Sequence, residues 1–91
     1  MTPLRQYLAD TVPDAVLLEG PEFDGGIVGT SSDGRVVYSY AKLAESLEGR
    51  NGRTYEDAVE WLDYNTLRSI PYAGDHAPVV VFDIPDDLWY H

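Results

Sequence analysis

Two β-branched runs separated by a short polar turn occupy residues 26–40, which read GIVGT-SSDG-RVVYSY. Strands favour β-branched and aromatic side chains, and the Asp33-Gly34 step supplies the positive φ that a tight turn between strands requires. The pattern therefore predicts an antiparallel hairpin.

Helices are predicted on both sides of this hairpin. Before it, Thr2 and Pro3 form a helix start. After it, Ser39 or Tyr40 opens a second helix. Further on, Thr54 has the form of an N-cap, and the acids at the second and third helical positions, Glu56 and Asp57, face the positive end of the helix dipole. The predicted ranges are Thr2 to about Val12, Ser39 or Tyr40 to Glu48, and Tyr55 to about Ser69, where Pro71 stops the last helix.

The remaining apolar runs complete the predicted architecture. Residues 77–82 read APVVVF, which is typical of a central, two-sided strand. Residues 14–18 are too few to distinguish a strand from a turn of helix, and from Phe23 the pattern is that of a sheet. We expect a single domain over residues 1–91 of the α+β class. Its small antiparallel or mixed sheet combines the hairpin with the C-terminal strand, and the helices pack on one face.

Composition excludes several classes of protein. With no cysteine, the chain has no disulfide framework and no thiolate nucleophile. No apolar run approaches the roughly 18 residues that a membrane helix needs, and the N-terminus lacks the pattern of a signal peptide. We expect a cytoplasmic protein that does not bind membranes.

The acidic balance of the chain indicates the kind of partner. Sixteen acidic and six basic side chains give a formal net charge of -10, which disfavours direct binding of nucleic acid. A basic protein or nucleoprotein complex is the natural partner. An equally simple explanation of the acidic composition is adaptation to salt or to a high-GC genome.

Acidic side chains form a stripe on the helix that follows Thr54. Glu56, Glu60 and Asp63 follow i, i+4, i+7 spacing, with Asp57 beside them, and we call the first three the acidic stripe. Like charges one turn apart cost about 0.2–0.5 kcal/mol per pair, so helix stability alone does not favour the arrangement. The stripe is predicted to bind a partner in the place of phosphates; the alternative is an ordinary solvated helix face.

The C-terminal segment combines acids with aromatic anchors. Asp83, Asp86 and Asp87 precede Leu88, Trp89 and Tyr90, a mixture that suits protein interfaces. We include the three acids in the predicted partner-binding set. Alternatively, Trp89 closes over the core.

Catalytic and metal-binding patterns are weak. Tyr72, Asp75 and His76 lie in one loop and are the candidate residues for a small enzyme or ligand-binding domain. The glycines at Gly25-Gly26 lack the lysine of a phosphate loop and are better explained by close backbone packing or a bulge. No catalytic residue, metal site or cofactor is predicted.

The order of motifs resembles a family of small, mostly uncharacterised proteins of bacteriophages, prophages and mobile DNA. The segments that carry the resemblance are Glu22-Phe23-Asp24, Val36–Tyr40 with Lys42-Leu43, Thr54–Asn65, and Ala77–Val81. The resemblance implies a strand–strand–helix–helix–strand order and a mobile-element origin, and it implies no catalytic residue.

Our leading hypothesis is a non-enzymatic protein that occludes a basic, nucleic-acid-binding surface of a host defence complex, such as a CRISPR effector, in the manner of an acidic anti-CRISPR protein. The competing hypotheses are the ligand-binding loop at Tyr72, Asp75 and His76, and a regulatory homodimer built on the terminal strand. The sequence leaves open whether the protein is a monomer or a homodimer.

Overall fold

The chain folds as an α+β domain in which helices pack beside a three-stranded mixed sheet, as described for residues 2–18, 20–49 and 52–90. This is a computed structural model, and it does not describe the side chains of residues 21, 86 and 90. The predicted fold class is confirmed.

The predicted hairpin forms the first part of the sheet. Strand β1 (Ile27–Thr30) pairs antiparallel with β2 (Val36–Ser39), and Gly34 has a φ of 84° in the turn between them. Strand β3 (Val79–Val81) pairs in parallel with the other side of β2, which gives the order β1-β2-β3. A parallel neighbour requires a long crossover, and the helices between β2 and β3 supply it.

The last strand lies at an edge of the sheet, so its predicted central position is wrong. β2 is the central strand, with Val36 and Tyr38 fully buried, whereas Val81 is exposed. The strand is also shorter than the apolar run, since Pro78 has no N–H to donate to a neighbour. A continuous apolar run does not distinguish a two-sided strand from an edge strand that packs on one face.

Two segments before the hairpin differ from expectation. Residues 15–18 form neither strand nor helix; the Leu18 N–H donates to the hydroxyl of Tyr38 at 3.0 Å, and the Val16 N–H donates to the carbonyl of His76 at 3.0 Å. Pro21–Gly26 form a 3₁₀ helix where a sheet was predicted from Phe23. Proline fixes a φ that suits the first position of a helical turn. This local preference outweighs the strand-like sequence pattern that begins at Phe23.

The helices begin where the capping residues predict. In order they are α1 (Pro3–Thr11), α2 (Tyr40–Leu47), α3 (Tyr55–Trp61), a π-helical turn (Leu62–Thr66), α4 (Leu67–Ser69) and a 3₁₀ turn (Ile70–Tyr72). The hydroxyl of Thr54 accepts from the Asp57 N–H at 3.2 Å, which confirms the predicted N-cap. The Asp57 carboxylate in turn accepts from the Thr54 N–H at 3.3 Å and completes a capping box. Each such cap satisfies backbone donors that the helix itself leaves without partners.

The core lies between β2, α2 and α3. Tyr38, Leu43 and Leu62 are fully buried at its centre. A Cβ built on Gly26 would lie 2.5 Å from the Leu43 Cδ2 atom, so close packing explains this glycine as predicted. Among the described residues, no helix has the length and apolar character needed to span a lipid bilayer.

Candidate protein-binding surface

The acidic stripe lies on the solvent side of the third helix. Glu56 and Glu60 belong to α3, Asp63 lies in the π-helical turn, and all three are exposed, as is Asp57. Ala58 and Leu62 on the opposite side are fully buried and fix which way the helix faces. Among the described side chains, no stripe residue forms an ion pair; the basic residues Arg5 and Arg35 instead pair with acids elsewhere.

Asp63 is held in place by a tyrosine from the second helix. The hydroxyl of Tyr40 donates to the Asp63 carboxylate at 2.8 Å. Partial burial, followed by this hydrogen bond and the nearby negative charge, raises the pKa of Tyr40 to about 12. The phenol is therefore protonated at neutral pH and remains a donor to Asp63.

Ser39 and Tyr40, at the start of α2, also contact the C-terminal acidic segment. The ring of Tyr40 packs on that of Phe82 with a centroid distance of 4.8 Å. The hydroxyl of Ser39, which is fully buried and caps α2, donates to the carboxylate of Asp83. Asp63 and Asp83 thus contact adjacent residues of one strand–helix junction. We call Glu56, Asp57, Glu60, Asp63 and Asp83 the acidic face.

The rest of the C-terminal segment is exposed. Asp87 lies in a 3₁₀ turn (Asp86–Tyr90), and the side chain of Asp86 lies outside the described residues. Phe82 is 68% exposed and Trp89 is 67% exposed. Trp89 therefore does not close over the core, and Phe82 and Trp89 keep exposed surface that another molecule can contact.

Two arginines pack on aromatic side chains of the helical segment that carries the acidic stripe. Arg53 precedes the Thr54 cap and folds back over the ring of Trp61 at 5.5 Å, eight residues away. Arg68 lies 4.6 Å from the ring centre of Tyr64, one helical turn away, a spacing that the sequence does show. Arg53 shares a depression with Asp57 and Glu60, and among the described side chains neither arginine forms an ion pair with the acidic face.

A groove lies on the other side of Trp61, and no sequence pattern predicted it. It has a volume of about 620 Å³ and runs between residues 16–18 and the helical segment that starts at Trp61. The rings of Phe23 and Trp61 stack at its edge with centroids 5.9 Å apart. The groove depends on contacts between residues far apart in the chain, which local periodicity does not report.

The loop proposed for ligand binding has no enclosed site around it. Tyr72 is 90% exposed at the edge of the groove, and Asp75 and His76 are exposed and do not line the groove. Among the described side chains, no cluster of three histidine or carboxylate residues is placed to hold a metal ion.

Comparison of the chain with known proteins finds no significant similarity. No family model matches it, and neither the curated proteins nor the solved structures include a significant match.

Proposed function

We propose that the protein is a non-enzymatic binding module that covers a basic, nucleic-acid-binding surface of another protein. The proposal rests on the observation that one strand–helix junction contacts acids from both acidic clusters. Tyr40 donates to Asp63 and Ser39 donates to Asp83, so the stripe of α3 and the start of the C-terminal segment form one face.

The charge of this face suits a groove that evolved to hold phosphates. Residues one helical turn apart have Cβ atoms about 5–6 Å apart, so the stripe presents a row of carboxylates at a spacing comparable with that of neighbouring phosphates. A net charge of -10 also speeds the approach of a basic partner. Association is therefore fast and sensitive to salt.

The aromatic side chains beside the acids supply what charge alone lacks. Surface ion pairs contribute little affinity, whereas exposed aromatic residues that become buried often dominate binding. Phe82 and Trp89, both about two-thirds exposed, provide such anchors next to Asp83 and Asp87. The combination of acidic and exposed aromatic side chains favours binding of a protein over binding of small cations alone.

The biological setting that we propose is inhibition of a host defence complex by a phage or other mobile element. A protein that occupies the nucleic-acid groove of such a complex, for example a CRISPR effector, would block access to DNA or RNA. The resemblance in motif order supports this setting.

The test is a capture experiment with a charge-matched control. Tagged protein is incubated with lysate of a bacterial host and washed at low and then moderate salt, and the retained proteins are identified. The test variant is Glu56→Gln, Glu60→Gln, Asp63→Asn. The control is Asp10→Asn, Asp14→Asn, Asp75→Asn, which changes three exposed carboxylates outside the acidic face and gives the same net charge.

We expect the wild type and the control to retain the same nucleic-acid-binding protein, released by salt, and the test variant to lose it. Purified target should then bind either this protein or its nucleic acid, but not both together. Equal capture by the test variant, or simultaneous binding of the nucleic acid, would overturn the proposal.

A further inference from the structure

The groove beside Trp61 has an apolar floor that nothing in the described chain covers. Leu17, Phe23, Trp61 and Ile70 are among its lining residues, and its volume is about 620 Å³. Ligand grooves of this size have mainly apolar walls with a few polar groups that orient the occupant. The groove is therefore large enough for one or two large side chains of a partner.

The groove itself is lined by one acid and several neutral polar side chains, and two further acids lie next to it. Glu22 lines one wall, and its carboxylate lies over Gly20, where an added Cβ would be 2.6 Å from it. On the far side of Trp61 is a second depression of about 370 Å³, lined by Asp57 and Glu60. Trp61 and Asn65 belong to both depressions, so an apolar site continues directly into an acidic one.

The chain itself shows what kind of cation fits the acidic depression. Arg53 lines it and places its guanidinium 5.5 Å from the centre of the Trp61 ring. A guanidinium on an aromatic face near carboxylates is a favourable arrangement, since the ring and the acids both attract it. Arg53 makes no ion pair with a described acid, so an arginine from outside can replace it at little cost.

We propose that these two depressions together bind one segment of a partner protein that carries a large apolar side chain next to an arginine. The apolar side chain enters the groove between Phe23 and Ile70, and the arginine displaces Arg53 from Trp61 and contacts Asp57 and Glu60. The inference rests on the proposed function, because it describes how the same basic partner is anchored.

Charge complementarity selects this occupant over others. A second copy of the chain would bring another net charge of -10 to an acidic site, and an anionic lipid surface would be repelled in the same way. A neutral apolar molecule would use the groove but not the acidic depression. Only a segment with both an apolar and a cationic group uses both.

The test uses a short peptide, so it does not require the partner to be known. The probe is acetyl-GSLFRRSG-amide, titrated into ¹⁵N-labelled protein and followed by NMR. One control peptide replaces both arginines with citrulline, which keeps their shape and removes the charge. The other replaces Leu and Phe with Ser and keeps the charge.

We expect saturable shifts at the Trp61 indole and at the backbone of Phe23 and Ile70, with each control peptide binding at least tenfold more weakly. Binding of the citrulline peptide at equal strength would show a groove for neutral ligands and overturn the proposal. The absence of saturable shifts, or shifts confined to residues away from Trp61, would overturn it as well.

Protein variants locate the site. Ser69 is exposed and lines the groove, so Ser69→Phe fills the groove and should weaken peptide binding at least tenfold. Ser32→Phe adds the same ring in the exposed turn of the hairpin and should change binding less than twofold. Arg53→Gln should strengthen binding severalfold; weaker binding would show that Arg53 does not compete with the peptide.

The outcomes separate this inference from the proposed function. If the target is captured by wild type and by Ser69→Phe equally, but not by the variant of the acidic stripe, the proposed function stands and the groove proposal fails. If the peptide binds as expected but no target is captured through the acidic face, the groove proposal stands on its own.

Discussion

Residues 36–47 and residues 81–89 are similarly rich in apolar side chains, but the fold uses them in opposite ways. In the first segment, β2 and α2 bury Tyr38, Leu43 and Leu47. In the second, Phe82, Ile84, Leu88 and Trp89 are all more than half exposed. The contrast teaches that apolar content alone does not identify the core. The first segment stabilises the domain, whereas the second carries apolar surface that the described part of the chain leaves exposed.

The largest effect on stability is expected from truncating a buried residue of the first segment. Leu43 is fully buried, so Leu43→Ala should lower the free energy of unfolding by about 2–5 kcal/mol, through lost burial and the cavity left behind. Chemical denaturation followed by circular dichroism measures the change. A loss below about 1 kcal/mol would mean that this segment is not the centre of the core.

Ser39 joins the two segments, and its removal should have an intermediate effect. Its hydroxyl accepts from the Lys42 N–H at 3.2 Å and donates to Asp83, so Ser39→Ala removes the cap of α2 and frees the C-terminal segment. Loss of an N-cap costs about 0.5–2 kcal/mol. Unfolding by urea gives the stability, and amide exchange should become faster in residues 82–84. Unchanged exchange there would show that Asp83 is held by other contacts.

Tyr40 makes the contact between α2 and Asp63 sensitive to alkaline pH. Its pKa is raised to about 12 in the folded protein, against about 10 in the unfolded chain. The stabilisation is fully present below pH 10 and is lost as the pH rises towards 12, because the unfolded chain releases this proton first. The loss of stability between about pH 8 and about pH 11 should be smaller in Tyr40→Phe than in the wild type.

The buried Tyr38 also has a raised pKa, chiefly because of desolvation, so it accounts for part of the alkaline loss that remains in Tyr40→Phe. Urea midpoints at the two pH values provide the comparison. Equal losses in the variant and the wild type would show that Tyr40 does not titrate with folding.

The features that the sequence predicts well are those set by neighbouring residues. The Asp33-Gly34 turn, the start of α2 at Ser39 or Tyr40 and the N-cap at Thr54 each depend on side chains within three or four residues, and all form as expected. The exposure of the acidic stripe likewise follows from the helical period.

The features that the sequence misses depend on contacts across the chain. Whether β3 is central or at an edge is determined by which side of β2 remains free, not by the apolar run itself. The position of Arg53 over Trp61 requires the chain to fold back around the cap of α3, and the groove requires residues 16–18 to lie opposite α4. The hydrogen bond from Tyr40 to Asp63 spans 23 residues and has no local signature.

The smallest effect on stability is expected in the exposed segment. Trp89 is 67% exposed, so Trp89→Ser should change the free energy of unfolding by less than about 0.5 kcal/mol, the usual range for surface substitutions. If this segment contacts the target, the same substitution should weaken capture of that target, because aromatic anchors that become buried contribute much of the binding energy. Denaturation and capture are measured on the same preparation, with Tyr7→Ser, at an exposed aromatic residue of α1, as the matched control. A stability loss above about 1 kcal/mol would place Trp89 in the core, where truncating a large aromatic residue is costly, and would remove the contrast between the two segments.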